Sequence, residues 1–176
     1  MTAAARHREV ILAGSGGQGL VLSAMLLAEA ALLEGRNVVQ TQSFGIATRG
    51  GLSLAEVIID DGEIVFQQVR RPDAVLALTE EAARKYESWT AQGVPLFYDS
   101  TLAAQRSGAR VHGHPFTQLA SDLGNVASVN ILALGTLAER AGLVARASLE
   151  QVVQRRFKGA AAALNLKMLA AGSELA

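Results

Sequence analysis

The residues best suited to hold an anion or a cofactor are the glycines of Gly14-Ser15-Gly16-Gly17-Gln18-Gly19, set between the apolar run EVILAG and a long apolar stretch from Leu20 to Leu33. This spacing satisfies G-x-G-x-x-G, a turn that brings backbone N–H groups against a pyrophosphate at a helix N-terminus. A dinucleotide site also requires an acidic residue near the end of the second strand to hold the ribose hydroxyls. Between Arg36 and Ala55 the chain has neither Asp nor Glu, and the second strand runs out through Gln40, Thr41, Gln42 and Ser43. Three readings remain. In the first, Arg36 or Arg49 takes a 2′-phosphate and the chain is a free-standing NADP- or flavin-binding oxidoreductase. In the second, the loop is a tight turn that lets the helix pack close to the sheet. In the third, exposed N–H groups of Gly16, Gly17 and Gly19 bind an anion or the edge of another chain, with the Gln18 amide at the same mouth.

The segment QSFGIATRGG leaves the carboxyl end of the second strand, so Ser43, Arg49, Gly50 and Gly51 belong near that mouth. Glycines around a single guanidinium suit a carboxylate or phosphate ligand, although a solvated arginine in a hairpin lead-in satisfies the same pattern. His112 and His114 in HGHP lack an evident third ligand, which favours a polar loop over a metal site. Asp99 and Ser100 follow an apolar strand and either face the crevice or cap a helix. Asn125 reads as a cap. Asn130 lies among apolar residues and needs a partner if buried, supplied by a loop, a neighbouring subunit or the core.

These residues must be positioned by the surrounding elements. Short apolar runs alternate with helical patterns, which predicts an α/β fold of three layers with a mostly parallel sheet. Strands are expected at EVILAG, NVVQTQSF, DAVLALT and VPLFYDS, and a β-hairpin insertion is expected where Leu52 to Ile59 and Glu63 to Gln67 flank the turn signal DDG. The first helix is apolar nearly all round, so it needs cover on two sides. After RVHGHPF the strands stop, and a helical C-terminal third follows in TQLASDLG, SVNILALGTLAERAG, SLEQVVQRRF and AAAALNLKMLAAG, with Ser148 near the start of the third of these.

The 176 residues include three prolines and are half apolar, which suits one domain over 1–176 with a sizeable core. Sixteen basic and sixteen acidic residues cancel, so no broad field draws the chain to nucleic acid or an anionic membrane. The absence of cysteine excludes disulfides, thiolate nucleophiles and cysteine-held zinc or iron-sulfur clusters on this chain. The uncharged stretch Val10 to Ala28 is interrupted by four glycines and a glutamine, which predicts a buried strand-turn-helix rather than a membrane span. No cleavable leader pattern precedes the first strand, and a cytoplasmic location is expected.

Taken in order, GSGGQG, QTQSFGIATRGG, LSLAEVIID, LGNVASVNILALGTL and RRFKGAAAALNLKMLAAG resemble the gamma subunit of 2-oxoacid:ferredoxin oxidoreductases over nearly the whole chain. The resemblance implies a multi-subunit enzyme that decarboxylates a 2-oxoacid, passes two electrons to ferredoxin and usually transfers the acyl group to coenzyme A. It implies that thiamine diphosphate, Mg2+ and [4Fe-4S] clusters sit on catalytic and ferredoxin-like subunits, with no catalytic residue, metal or cofactor on this chain. Gly16, Gly17, Gln18 and Gly19 correspond to the helix-mouth loop, Arg49-Gly50-Gly51 to an arginine-glycine-glycine element, and Asn130 to an asparagine of the later helical motif. Where many members have tyrosine, glycine, proline and glutamate before that arginine, this chain has Phe44, Gly45, Ile46 and Ala47. In isolation the chain is expected to self-associate, as a homodimer, through surface meant for partners.

Overall fold

The computed structural model of the chain describes residues 6–44 and 51–175. Strand β1 (Arg8–Ser15) leads into helix α1 (Leu20–Leu33), then β2 (Asn37–Phe44), β3 (Leu52–Asp60) and β4 (Ala74–Ala77). Helix α2 (Glu80–Tyr86) continues as a 3-10 turn, Glu87–Gln92, before β5 (Leu96–Asp99) and β6 (Val111–His114). Four helices complete the chain: α3 (Phe116–Asp122), α4 (Val129–Ala141), α5 (Arg146–Arg156) and α6 (Gly159–Glu174).

The strands form one sheet in the order β2-β3-β1-β4-β5-β6. β1, β4, β5 and β6 are parallel, and β3 runs antiparallel to both β1 and β2. Val10, Leu12, Ala55, Val57 and Leu76 face a core shared with α1 and the C-terminal helices. Ile11, Ala13, Val75 and Ala77 face a smaller core closed by Ala82, Ala83 and Tyr86 of α2. Since β1 and β4 are buried on both faces, their central residues, Val10 to Ala13 and Ala74 to Ala77, are apolar without alternation.

The antiparallel element differs from the sequence expectation. Glu63 to Gln67 is not a strand. β3 is already paired along both edges, with β1 from Arg8–Ile59 to Ser15–Leu52 and with β2 from Asn37–Asp60 to Phe44–Ser53, so a returning strand after Asp60 has no edge to join. The Asp60 carboxylate accepts from the Gly62 amide at 2.7 Å and the Asn37 side chain donates to the Gly62 carbonyl at 2.7 Å, turning the chain away. The hairpin is instead β2–β3. The helix containing Ser148 also starts earlier, at Arg146.

The cover that α1 needs on its second side comes from the same chain. Leu26, Leu27, Ala30 and Ala31 join the core that α4 and α5 complete with Leu132, Leu149 and Val153, while Leu32 and Leu33 at its end stay exposed.

One ion pair fixes the loop after β5. Arg106 donates to both oxygens of Glu80, at 2.7 and 3.0 Å, and the Ala104 amide donates to the same carboxylate at 2.9 Å. The guanidinium beside it holds the Glu80 carboxyl down from its ordinary 4.5 to about 2. Because the folded value lies below the unfolded one, this contribution is fully present above about pH 4.5 and is lost as the pH falls through about 2. Urea midpoints measured across that acid range should fall more steeply for wild type than for Glu80→Gln.

Candidate functional site at the carboxyl end of the sheet

β1 and β4 lie side by side in parallel, yet the chain leaves them toward opposite edges of the sheet: β1 continues through α1 to β2, and β4 continues through α2 to β5. The two loops part where open α/β sheets bind ligands. In this chain the gap is filled by Gln18. Its Oε1 accepts from the Ser15 amide at 2.8 Å and its Nε2 donates to the Leu78 carbonyl at 3.1 Å. The Leu78 amide donates to the Ala13 carbonyl at 2.9 Å, the last backbone rung between these strands. The carboxamide thus acts as a surrogate peptide group and extends the ladder one step into the crevice. Gly14 is required by this arrangement, since a Cβ there falls 2.4 Å from Gln18 Oε1.

The second half of the loop is fixed from the opposite direction. Gly19 has φ of 73°, a left-handed conformation that favours glycine, and a Cβ on it falls 2.6 Å from Asn130 Nδ2. Asn130 is 2 % exposed. Its Nδ2 donates to the Gly19 carbonyl at 3.1 Å, and its own carbonyl accepts from Ser23 Oγ at 3.2 Å. The N-terminus of α1 is therefore bonded to the start of α4, more than a hundred residues away. Gly16 and Gly17 are left exposed, with open space on the side where a Cβ would lie.

The remaining sequence candidates divide by position. Gly51 adjoins Leu52, which pairs with Ser15, so it stands beside the glycine loop. Ser43 pairs with Leu54, which pairs with Ala13, and so lies two interstrand spacings off, about 10 Å. Arg49 and Gly50 lie outside the described residues. Arg36 is excluded from the mouth. It sits at the opposite end of the sheet, with Nε on Asp61 at 2.8 Å and its two terminal nitrogens on the Leu143 and Arg6 carbonyls at 2.8 and 2.7 Å. An NADP reading through Arg36 is thereby removed.

Asp99 is a capping group. Its fully buried carboxylate accepts from the Thr101 amide at 3.0 Å, from the Thr117 amide at 3.1 Å and from the Thr117 hydroxyl, which ties β5 to the start of α3. Asn125 caps the 3-10 turn that precedes α4, its Oδ1 accepting from the Ala127 amide at 3.1 Å. His112 and His114 lie on β6 rather than in a loop. Their rings pack on Phe97 and Phe116, with centroids 5.1 and 5.4 Å apart, and burial followed by the Arg140 charge pushes both pKa values down. Among the described residues, no group of three or more His, Cys, Asp or Glu is placed to hold a metal.

Two features of the mouth escaped the sequence reading. The Leu78 carbonyl became a ligand of Gln18 only because β4, not β2, lies beside β1. A clue was the uninterrupted apolar run AVLAL, Ala74 to Leu78, which marks a central strand. The dependence of Gly14 on a side chain four residues later had no sequence signal.

The fold and this mouth define an α/β protein with a mixed six-stranded sheet, whose glycine loop at the head of the first helix is held by the amides of Gln18 and Asn130. Residues 9–175 match the model of the pyruvate ferredoxin/flavodoxin oxidoreductase family, and the chain belongs to it. The 2-oxoglutarate synthase subunit KorC of Archaeoglobus fulgidus is 39% identical over 97% of this chain and 88% of its own. The gamma subunit of a keto/oxoacid ferredoxin oxidoreductase from Geobacter sulfurreducens is 35% identical, with a TM-score of 0.83 over 96% of this chain and 97% of its own. The ketoisovalerate oxidoreductase subunit VorA of Methanothermobacter thermautotrophicus is 32% identical over 95% of this chain, which spans only 36% of that subunit. Within the family, this chain is of the gamma-subunit type of the 2-oxoacid:ferredoxin oxidoreductases. Among the described residues no helix is long and apolar enough to cross a membrane.

Proposed function

We propose that the chain completes a cytoplasmic 2-oxoacid:ferredoxin oxidoreductase as its non-catalytic, assembly-forming subunit, and that Gly16 to Gly19, Ser43, Arg49, Gly50, Gly51 and Asn130 help receive the coenzyme A phosphate or the 2-oxoacid carboxylate. Thiamine diphosphate, Mg2+ and the [4Fe-4S] clusters belong to catalytic and ferredoxin-like partners, and ferredoxin takes the electrons. The observation that carries the reading is the division of labour within the glycine loop. Gln18 fills the crevice where a dinucleotide pyrophosphate would lie, while Gly16 and Gly17 keep exposed backbone beside Gly51. Such backbone stabilises a negative group approaching from outside the chain. Arg49→Ala should raise the apparent KM for coenzyme A or for the oxoacid in the reconstituted complex without changing subunit composition. Unchanged kinetics for every substrate would count against a binding role.

One observation favours a second reading, in which the loop only packs. Gln18 bonds Ser15 and Leu78, and Asn130 bonds Gly19, so holding the loop in place is by itself a sufficient task for both side chains. Under that reading Arg49→Ala and Gln18→Ala both leave activity intact wherever assembly is intact. In isolation, the chain forms a homodimer.

A further inference from the structure

We infer that the outer edge of β2 is a self-pairing surface, on which a second copy of this chain lays its own β2 antiparallel about Thr41. The inference rests on the homodimer reading and names the surface responsible. β2 is eight residues long and ends the sheet, and among the described residues no strand pairs with its outer side. Soluble proteins blunt such edges with a lysine, a proline or a bulge, because unpaired N–H and C=O groups recruit further strands. β2 has none of these. Its sequence, NVVQTQSF, contains no charge and no proline, and its ladder with β3 advances residue for residue from Asn37–Asp60 to Phe44–Ser53.

The order of residue types selects the occupant. An antiparallel copy centred on Thr41 sets Val38 opposite Phe44, Val39 opposite Ser43 and Gln40 opposite Gln42. Val38, Gln40, Gln42 and Phe44 lie on one face, opposite Ile59, Val57, Ala55 and Ser53 of β3. That face reads apolar, amide, amide, apolar in either direction, so on it each cross-strand pair matches like with like, while on the other face Val39 meets Ser43. Phe44, 63 % exposed in the single chain, gains a valine neighbour from the second copy. No like charges meet. An isologous two-fold contact needs only this one patch, whereas an unrelated strand would have to match the pattern from outside. The product is a continuous sheet of two copies joined edge to edge.

Sedimentation of the purified full chain tests this with two double variants, Gln40→Lys/Gln42→Lys and Gln40→Glu/Gln42→Glu. Wild type should sediment at the mass of two chains. Each variant, with like charges opposed across the dyad, should fall to half that mass while keeping the wild-type circular dichroism melt. An equimolar mixture of the two should return to the two-chain mass, because lysine then faces glutamate. A wild type that stays monomeric overturns the homodimer reading and the surface together. Dimers persisting in both variants overturn the surface and leave the homodimer, and a mixture that stays monomeric overturns the register.

Discussion

Replacing Gly172 by alanine should lower stability by roughly 3 kcal/mol, the upper end for overpacking a core, and the melting temperature by about 10 °C. Helices α4 and α6 touch backbone to backbone at this point. A Cβ on Gly172 would stand 1.8 Å from the Leu132 carbonyl oxygen, and one on Gly135 would stand 2.4 Å from the Leu169 carbonyl oxygen. Neither obstacle is a side chain that can rotate away, so the helices must move apart. That movement also strains the bond from Thr136 Oγ1 to the Gly172 carbonyl, 2.7 Å, and the buried pair of Ser128 and Asn165, 2.8 Å. Gly16→Ala is the matched control, because nothing lies within 4 Å of a Cβ there. Thermal melts of the two variants beside wild type decide the matter. If Gly172→Ala melts with wild type, the close approach of α4 and α6 is wrong.

Asn130→Asp should be destabilising by about 3 kcal/mol at neutral pH, and the loss should shrink as the solution is acidified. The substitution changes shape very little. It places a carboxylate, 2 % exposed at this position, against the Gly19 carbonyl that the asparagine now satisfies. Burial and the facing oxygen favour the protonated acid, so the folded-state pKa lies above the ordinary aspartate value of about 3.9. The unfolded chain then releases its proton first as pH rises. The penalty therefore grows upward from about pH 4 and levels off above the folded-state pKa. At low pH the protonated oxygen donates to Gly19 in place of the amide. Urea denaturation at two pH values, compared with Asn130→Ala, measures this. A penalty that is independent of pH would mean that the side chain is not held in the closed junction between α1 and α4. In the assembled enzyme the same variant should alter the glycine loop directly, since Gly19 is its bonding partner.

The sequence carried much of this. The apolar runs of β1, β4 and β5 are readable because strands buried on both faces admit no polar alternation. The C-terminal helices follow from their spacing and from Gly142, whose φ of 59° ends α4. Asn130 was recognisable as a group in need of a partner, because an amide amid apolar residues must find one. The misreading of Glu63 to Gln67 has a physical origin. Glu-Ile-Val-Phe-Gln has the composition of a strand, but strand propensity describes a fit to a sheet edge, and both edges of β3 were taken.

What the sequence by itself determined, then, was the central buried strands and most of the helices, the absence of cysteine and the lack of an acidic ribose ligand after the second strand, all of them local properties of residue type and spacing. Only the tertiary structure decided what the glycine loop is for within the chain. The contacts of Gln18 with Leu78 and of Asn130 with Gly19 join residues 60 and 111 positions apart. They exist because β4 inserts beside β1 and α4 returns to the head of α1. Such long-range adjacency depends on sheet order, which no local pattern encodes.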